Sequence, residues 1–499
     1  MSNARRWWAV GAMVLAVLTV GFDVTILNVA LPTLGAEIQA TTSELQWIID
    51  AYVVVFAGLL LPAGALADRY GRRVFILAGL ALFGAASALA SFATDPAQLI
   101  AARAIMGVGG AILVPVTLAT LPALFPGAAE RRKAIAALTA AAGAGVPLGP
   151  LVGGYLLDHF WWGSVFLVNV PVVGLALIAV ALLIPESRDR STGRIDLLGA
   201  ALSTLGLGAL VYGIIEGPSR GWGDPAVVVG LAAGAALLAA FVGWQTWTRH
   251  PLVDLNLFRS RRFLLGSVVA TLAAFALFGL LFVLPQYLQV VRGHDAFGTG
   301  LRLVPMMAGL IVAAKVAERP VGAVGTKTPV VAGLLITAAG LGWGATTGGG
   351  TGYGAVAGWL TVIGFGVGLA MTAAIDAVMG ALPPARAGAG IGLSQALRQV
   401  GGAIGVAVLG SVLAEAYANQ MPAGAPEVAR ASVAGAAALG DPALLAAARA
   451  AYLDGMSAVL LVCVGVAVAG AVLAAVFLPN QPPADPGEEE SVHEVARTA

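Results

Sequence analysis

The sequence predicts an all-α membrane protein, and its composition provides the main evidence. Apolar residues make up 59% of the 499 positions and charged residues only 11%, whereas a soluble domain carries about 25% charged residues. So few charges cannot cover a water-exposed surface, but repeated apolar stretches can each cross a hydrocarbon layer about 30 Å thick. The 66 glycines agree with this class, because small residues let membrane helices approach one another closely.

Windows of about 20 apolar residues predict fourteen membrane-spanning helices along the chain. The first window follows Arg5 and Arg6 and is too long for the apolar core of a cleavable signal. The predicted spans lie near residues 9–31, 46–66, 74–93, 97–119, 133–154, 164–184, 196–216, 225–246, 263–284, 299–318, 328–346, 353–375, 391–414 and 452–477.

The basic residues predict the orientation in the membrane. Nineteen of the 27 Lys and Arg residues fall in segments on the side of the amino terminus and five on the opposite side. The positive-inside rule then places both termini in the cytoplasm, in a multi-pass protein of the cell membrane. The longest external segment, 415–451, is Ala-rich and is expected to form one or two short surface helices. The tail, 479–499, has no apolar periodicity and is predicted to be disordered.

Composition also argues against several classes of protein. The net charge of +1 gives no electrostatic reason to expect nucleic acid. The four histidines have no metal-ligand spacing, and the single cysteine, Cys463, is expected to be a small buried hydrophobe. The sequence contains no nucleophile–base pair and no P-loop, so we expect neither an enzyme nor direct use of ATP. No cofactor is expected.

The loop between spans 2 and 3 carries an ordered motif. Its sequence is Gly64-Ala-Leu-Ala-Asp68-Arg69-Tyr-Gly71-Arg72-Arg73. Gly71 permits a tight turn, and Asp68 can pair with a cation or cap a helix end. The order resembles the loop signature G-x-L-A-D-r-x-G-r-r of the major facilitator superfamily. The resemblance implies a latch in which Asp68 and its arginines hold the outward-facing state.

An arginine lies within predicted span 4. Burying Arg103 in an apolar helix costs at least about 2.5–3.5 kcal/mol, so the side chain is expected to have a partner or a water-filled cavity. The stretch Arg103-Ala-Ile-Met106-Gly107-Val-Gly109 resembles the superfamily motif R-x-x-Q-G-x-G, which is implicated in proton coupling. Met106 replaces the usual Gln. A purely structural role for Arg103 is the alternative.

Predicted span 5 carries a second glycine motif. Its sequence is Gly145-Val-Pro-Leu-Gly149-Pro150-Leu-Val-Gly153-Gly154. Glycines four residues apart form a groove along one helix face, and Pro150 removes a backbone donor and kinks the helix. The string resembles the signature G-x-x-x-G-P-x-x-G-G of the superfamily's antiporters. The resemblance implies a seal against ion leak and transport in the direction of export.

Span 1 ends in a motif typical of one branch of the superfamily. Its sequence is Asp23-Val-Thr25-Ile-Leu-Asn28-Val-Ala-Leu-Pro32, which resembles the signature of the fourteen-span drug:proton antiporters. Further residues that match this family are Trp47, Tyr52, Asn169 and Arg398. The implied fold has two six-helix bundles built from inverted repeats, residues 1–185 and 251–478, joined by two additional linking helices within 186–250.

Asp23 is the candidate for the principal proton and cation site. Burial in an apolar bundle disfavours a charged carboxylate, so Asp23 is expected to load and release protons, while a cationic drug favours the charged form and expels the proton. Arg103 is expected to tune this site. The alternative for Asp23 is a helix-end residue bonded to Thr25 or Asn28.

Three other ionisable residues have open roles in the sequence. Asp50 is a second candidate for coupling, or else a wetted interfacial residue one turn from Trp47. Lys315 is expected to snorkel from a helix end, and Asp376 is expected to be a helix-end charge.

The function implied by these resemblances is a proton-coupled antiporter that exports hydrophobic or cationic drugs. A dedicated exporter of one natural product, with a narrower cavity, is the alternative. A metabolite symporter is disfavoured by the motif at 145–154. The expected partners are small hydrophobic or cationic substrates, protons and the lipid bilayer, with the proton gradient as energy source; the chain is expected to be a monomer.

Overall fold

The computed structural model of the chain describes residues 3–125, 127–188, 196–249, 251–382 and 387–479. All but the first residue of the predicted disordered tail lies outside the described residues, as does most of the connection before the first linking helix. The predicted motif residues all lie within them.

Long helices dominate the described chain, and each predicted span coincides with one of them. They are α1 Asn3–Glu37, α2 Thr42–Tyr70, α3 Arg72–Ser91, α4 Pro96–Leu124, α5 Ala128–His159, α6 Ser164–Leu183 with a turn at Val168, α7 Leu197–Arg220, α8 Pro225–Trp247, α9 Arg261–Gln286, α10 Ala296–Val324, α11 Lys327–Ala345, α12 Tyr353–Met379, α13 Ala387–Gln420 and α14 Pro442–Phe477. Shorter turns of helix are Leu255–Arg259, Tyr287–Val291, Glu427–Ala431 and Val433–Ala438.

Thirteen helices in the described part of the chain are long and apolar enough to cross a membrane, and α5 is not one of them. The chain is therefore a multi-pass membrane protein, while the count of fourteen spans stays a prediction.

The predicted external segment, 415–451, contains helix at both of its edges, and its position outside the membrane stays a prediction. Helix α13 continues to Gln420, and α14 already begins at Pro442, because Ala-rich sequence on both sides favours helix beyond the apolar windows. Asp441 caps the start of α14 by accepting from the backbone nitrogen of Ala443 at 2.8 Å. The remaining connection holds two short helices, and Ala429 and Val433 on them are buried.

Local sequence explains where the helices begin and end. Thr41 and Glu44 form a capping box at the start of α2. Asp95 caps α4 ahead of a proline at the first helical position. Only Gly71 separates α2 from α3, and its φ of 131° lies in the region that favours glycine.

The membrane helices form two halves with the same internal packing. In the first half α1 packs on α5, α2 on α4, and α3 on both α4 and α6; in the second half the pairs α9–α13, α10–α12, α11–α12 and α11–α14 repeat this pattern. The halves meet through α2–α13 and α5–α10. If each helix is replaced by its counterpart in the other half, the contact α2–α13 becomes α10–α5. The fold is therefore a pair of six-helix bundles related by a pseudo-two-fold axis.

Helices α7 and α8 form a hairpin beside the bundles. Helix α7 packs against α2 and α13, while α8 remains largely exposed. Buried Asp196 joins the two helices by accepting from Trp244 Nε1 at 2.8 Å and Gln245 Nε2 at 2.7 Å. Gln245 Oε1 in turn accepts from the backbone nitrogen of Val253, at 3.1 Å, ahead of the second half.

Candidate functional site

A buried ion pair lies inside the first half. Asp23 on α1 is 0% exposed and Arg103 on α4 is 1% exposed, and Nη1 of Arg103 donates to Oδ2 of Asp23. A buried pair offsets the loss of hydration only when further hydrogen bonds satisfy both groups. Asp23 is thus the partner that the buried arginine requires, and both groups need additional hydrogen bonds.

Three further contacts satisfy the two charges. Arg103 Nε donates to the carbonyl of Ile48 at 3.0 Å, and the guanidinium carbon lies 4.4 Å from the centre of the Tyr52 ring, a cation–π distance. Asn169 Nδ2 donates to Asp23 Oδ1 at 3.2 Å. Helices α1, α2, α4 and α6 thus converge on one charged cluster.

A serine that the sequence interpretation did not single out supports this cluster. Ser87 on α3 is 0% exposed. Its hydroxyl donates to the carbonyl of Phe166 at 2.8 Å and accepts from Asn169 Nδ2 at 3.1 Å. A buried hydroxyl in an apolar window was the available signal, but serine also occurs at many plain helix contacts in membranes.

The alternative role predicted for Asp23 is wrong. Asp23 lies in the interior of α1, which continues to Glu37. Thr25 donates to backbone carbonyls, including that of Gly145 at 3.2 Å, and Asn28 donates to the carbonyl of Val24 at 3.0 Å. The hydrogen bonds of Asp23 lead instead to α4 and α6.

The glycines after Arg103 bring α4 close to α2. A Cβ atom on Gly107 would lie 2.6 Å from the carbonyl oxygen of Tyr52, and one on Gly110 would lie 2.6 Å from the Tyr52 hydroxyl. Met106, which replaces the usual amide of the motif, is fully buried. The motif therefore positions the Tyr52 ring over the guanidinium by close helix packing.

Asp50 on α2 is fully buried rather than wetted, so the interfacial interpretation is wrong. The side chain is 0% exposed, and neither carboxyl oxygen has a hydrogen-bond partner among the described residues. Gln46 Oε1, one turn earlier, is in the same condition. Since a buried charge without partners is strongly unfavourable, this site suits a neutral carboxyl group.

The glycine motif of α5 forms the groove in which α1 lies. A Cβ atom would lie 2.7 Å from the carbonyl carbon of Gly21 if placed on Gly145, and 2.8 Å from the backbone nitrogen of Ile26 if placed on Gly149. Gly153 also faces Ile26. Gly145, Gly149 and Gly153 of the string thus line the groove, while Pro150 and Gly154 contact α10.

Gly154 differs from the other glycines of the motif because it faces the second half. A Cβ atom there would lie 2.5 Å from Cα of Phe297 on α10. Gly300 of α10 lies against Pro150 in return, where a Cβ atom would be 2.8 Å from the carbonyl carbon. The motif therefore contributes both to the first half and to the junction between halves.

The loop between α2 and α3 is tied to the end of α6. Within the loop, Arg72 Nε lies 2.7 Å from Asp68 Oδ1. The backbone nitrogen of Arg72 donates to the carbonyl of Ser187 at 3.0 Å, and that of Arg73 donates to Glu186 at 3.3 Å. These contacts stay within the first half.

The face of the molecule that carries Arg69, Arg72 and Arg73 is called the basic face. The opposite face, which carries the α1–α2 turn, is called the distal face.

At the distal face, hydrogen bonds join the two halves. Asp158 at the end of α5 accepts from the first backbone nitrogens of α10, Ala296 at 3.1 Å and Phe297 at 3.0 Å. Gln289 Nε2 donates to the carbonyl of Val29 at 2.7 Å. Gln46 Nε2 donates to a carbonyl of α13 at 2.9 Å. We call the bonds of Asp158, Gln289 and Gln46 the distal clamp.

The remaining candidates lie apart from the charged cluster. Trp47 Nε1 donates to Glu216 on α7 at 3.4 Å. Arg398 on α13 is partly buried and contacts Gln395 on its own helix. Further residues of the predicted set are Pro32, which is buried within α1, and Lys315 and Asp376, whose side chains are exposed.

Among the described residues there is no cluster of three or more His, Cys, Asp or Glu side chains that could hold a metal ion.

The fold and the site define a membrane transporter of two related halves, and comparison with known proteins identifies its family. The family model of the Major Facilitator Superfamily matches residues 13–406, and the chain belongs to this superfamily. A bacterial homologue of the human lysosomal transporter Spinster, solved in an inward-facing and unoccupied conformation, has the same fold. Its TM-score is 0.69 at 17% identity, over 97% of this chain and 100% of the other.

Several relatives carry names that refer to resistance or efflux. Methyl viologen resistance protein SmvA of Salmonella typhimurium is 34% identical over 76% of this chain and 77% of its own length. Multidrug efflux pump LfrA of Mycolicibacterium smegmatis is 35% identical over 76% of this chain and 75% of its own. Tetracenomycin C resistance and export protein of Streptomyces glaucescens is 33% identical over 76% of this chain and 71% of its own length.

Proposed function

We propose that this chain exports hydrophobic or cationic drugs across the cytoplasmic membrane in exchange for protons. The observation that carries the proposal is the buried pair of Asp23 and Arg103, which are 0% and 1% exposed. The names of the relatives support drugs and antibiotics as cargo. Both termini face the cytoplasm in this proposal, and the chain works as a monomer in the bilayer with the proton gradient, not a bound cofactor, as its energy source.

The ion pair suggests how protons and cargo exclude one another. Asp23 can hold either a proton or a positive charge, because protonation removes the charge that pairs with Arg103. A cationic substrate that approaches the opened pair favours the charged carboxylate and expels the proton. This competition couples the two fluxes, and rocking of the two bundles supplies alternating access.

Asp50 is proposed as a second protonation site. Its burial without a hydrogen-bond partner among the described residues favours the neutral acid in this conformation. Water that enters during rocking would stabilise the charged form and release the proton. Arg103 connects the two proposed protonation sites, since it contacts Asp23 and also the backbone of α2, the helix that carries Asp50, at Ile48.

Export as the direction is supported by the α5 glycines. The close approach of α5 to α1, and of Gly154 to α10, leaves little room for an ion to pass beside Asp23. The loop at Asp68 and Arg72 is proposed as the latch of the opposite conformation, in which the distal clamp is open.

A dedicated exporter of one natural product is the second candidate. Tetracenomycin C resistance and export protein is named for one antibiotic. Efflux assays with a panel of cationic dyes and antibiotics separate the two candidates. Protection against several compounds supports multidrug export, and protection against a single compound supports the dedicated exporter.

The test of proton coupling uses purified protein in liposomes with methyl viologen as probe. We expect the wild-type protein to take up methyl viologen when the lumen is acidic. Uptake by the Asp23→Asn variant should fall to the level of protein-free liposomes. Asp376→Asn, which changes an exposed carboxylate, serves as the matched control and should transport normally. Equal transport by the wild-type protein with either sign of gradient, or with none, would reject antiport.

A second variant separates lost coupling from lost folding. Removing one partner of a buried ion pair destabilises a protein by about 3–5 kcal/mol, because Arg103 then stays buried without its counter-charge. The double variant Asp23→Asn, Arg103→Gln removes both charges. We expect it to reach the membrane at nearly normal levels and still to lack gradient-driven uptake.

A further inference from the structure

We infer that Ser87 is a positioning residue for Asp23 and acts through the side-chain amide of Asn169. The inference rests on the proposed role of Asp23 in proton exchange. The three side chains come from α3, α6 and α1, and their exposed fractions are 0%, 1% and 0%. They form one hydrogen-bonded row inside the first half.

The single hydroxyl hydrogen of Ser87 determines how this row is ordered. Ser87 Oγ donates to the carbonyl of Phe166 at 2.8 Å, so only its lone pairs remain for Asn169. Asn169 Nδ2, 3.1 Å away, must therefore donate. The second hydrogen of the same nitrogen points to Asp23 Oδ1 at 3.2 Å.

The opposite orientation of the Asn169 amide is unfavourable. A flip would place Oδ1 of the amide against the lone pairs of Ser87 and against the carboxylate of Asp23. Both contacts would join two acceptors. Ser87 therefore fixes Asn169 as a donor to Asp23.

Close packing keeps the row in register. Gly84 lies one turn before Ser87, and a Cβ atom there would be 2.8 Å from Cγ1 of Val173 on α6. Helix α3 thus lies tightly against α6, and this contact keeps Ser87 within hydrogen-bond distance of Asn169.

The row gives each oxygen of Asp23 its own donor. Oδ1 accepts from Asn169 on α6, and Oδ2 accepts from Arg103 on α4. Among the described residues, the titratable groups that face Asp23 from the packed helices are Arg103 and the Tyr52 hydroxyl. A donor fixed toward Oδ1 stabilises the charged carboxylate over the protonated one, so Ser87 indirectly sets the pH at which Asp23 exchanges its proton.

The test is the pH dependence of proton release on addition of methyl viologen to the purified, detergent-solubilised protein. In Ser87→Ala the amide is free to turn away, and we expect the half-maximal pH of release to rise by about one unit, since a hydrogen bond to a charged group is worth about 1.5–3 kcal/mol. Asn169→Leu should give a similar shift. The double variant should shift the half-maximal pH no further than either single variant, because both residues act along the same row of hydrogen bonds.

Ser91→Ala provides the matched control. Ser91 lies one turn further on α3 and is 2% exposed. Within the described part of the chain, its hydroxyl bonds only to the carbonyl of Ala88 on its own helix, at 2.7 Å. Its profile should match the wild type. An unchanged profile in both Ser87→Ala and Asn169→Leu would overturn the inference. A wild-type protein that releases no proton at any pH would instead reject the proposed function.

Discussion

Among single residues, Asp50 combines complete burial with a lack of hydrogen-bond partners in the described chain. If it carries a second proton, Asp50→Asn should fold normally, because an amide closely resembles the neutral acid. We expect the variant to retain gradient-driven transport with fewer protons exchanged per substrate. The check is the ratio of proton flux to methyl viologen flux in liposomes, with Asp376→Asn as control. An unchanged ratio would exclude Asp50 from coupling.

The sequence predicted Asp23 and Arg103 as members of one site, but not the contacts that join them. Asp23 and Arg103 were recognisable because charges in apolar spans require a reason. Their contact depends on how α1 and α4 are rotated about their axes, which packing decides. Ser87 carried no charge and no motif, so its place beside Asn169 could only be seen in three dimensions.

At the scale of helices, the groove of α5 makes a sharp prediction. In Gly149→Ala the added methyl group would lie 2.8 Å from the backbone nitrogen of Ile26, and backbone cannot rotate away. We expect a loss of about 1–3 kcal/mol of stability and reduced efflux, measured by thermal unfolding in detergent and by dye export.

Gly174→Ala on α6 is the control for this change. Nothing lies within 4 Å of a Cβ atom at Gly174, and alanine favours helix over glycine by about 1 kcal/mol. This variant should be as stable as the wild type or slightly more so. A similar loss of stability in both variants would show that the α1–α5 contact is not the cause.

Helix positions were predictable from the sequence, whereas helix ends beyond the apolar windows were not. Windows of apolar residues report the hydrocarbon layer, but α13 and α14 continue past it on alanine-rich sequence. The hydrogen bonds from Trp244 and Gln245 to Asp196 could not be predicted either, since Asp196 and Trp244 are 48 positions apart in the sequence.

At the scale of the whole molecule, the distal clamp joins the two halves at one face. Asp158 reaches from the first half to the backbone nitrogens that begin α10. Asp158→Ala removes these charge-assisted bonds, worth about 1.5–3 kcal/mol. We expect the population with an open distal face to rise about tenfold or more. The measurement is the distance between spin labels at Thr94 and Gly350, exposed positions on the distal turns of the two halves.

Asp295→Ala is the matched control for the clamp. Asp295 also caps α10, by accepting from Gly298 at 2.7 Å, but it belongs to the same half as that helix. The variant should weaken the helix start and leave the label distance unchanged. If Asp158→Ala also leaves the distance unchanged, the clamp does not control opening.

Correspondence between the halves was predictable from the superfamily resemblance, but the residues that join them were not. Asp158 accepts from backbone nitrogens, and Gln289 and Gln46 donate to backbone carbonyls. Every residue carries such backbone groups, so these partners leave no mark in the sequence. Of the junction, only the glycine string at 145–154 gave a signal.

The meeting of Gly154 with Phe297, and of Gly300 with Pro150, has a consequence for how fast the protein can cycle. At these two positions a glycine lies against main chain, so neither glycine presents a side chain that would have to change rotamer when the bundles separate. The barrier to opening should therefore come from a few breakable polar contacts instead of steric unlocking. Bulkier residues at Gly154 or Gly300 would add such an obstacle and slow turnover even where cargo and protons still bind.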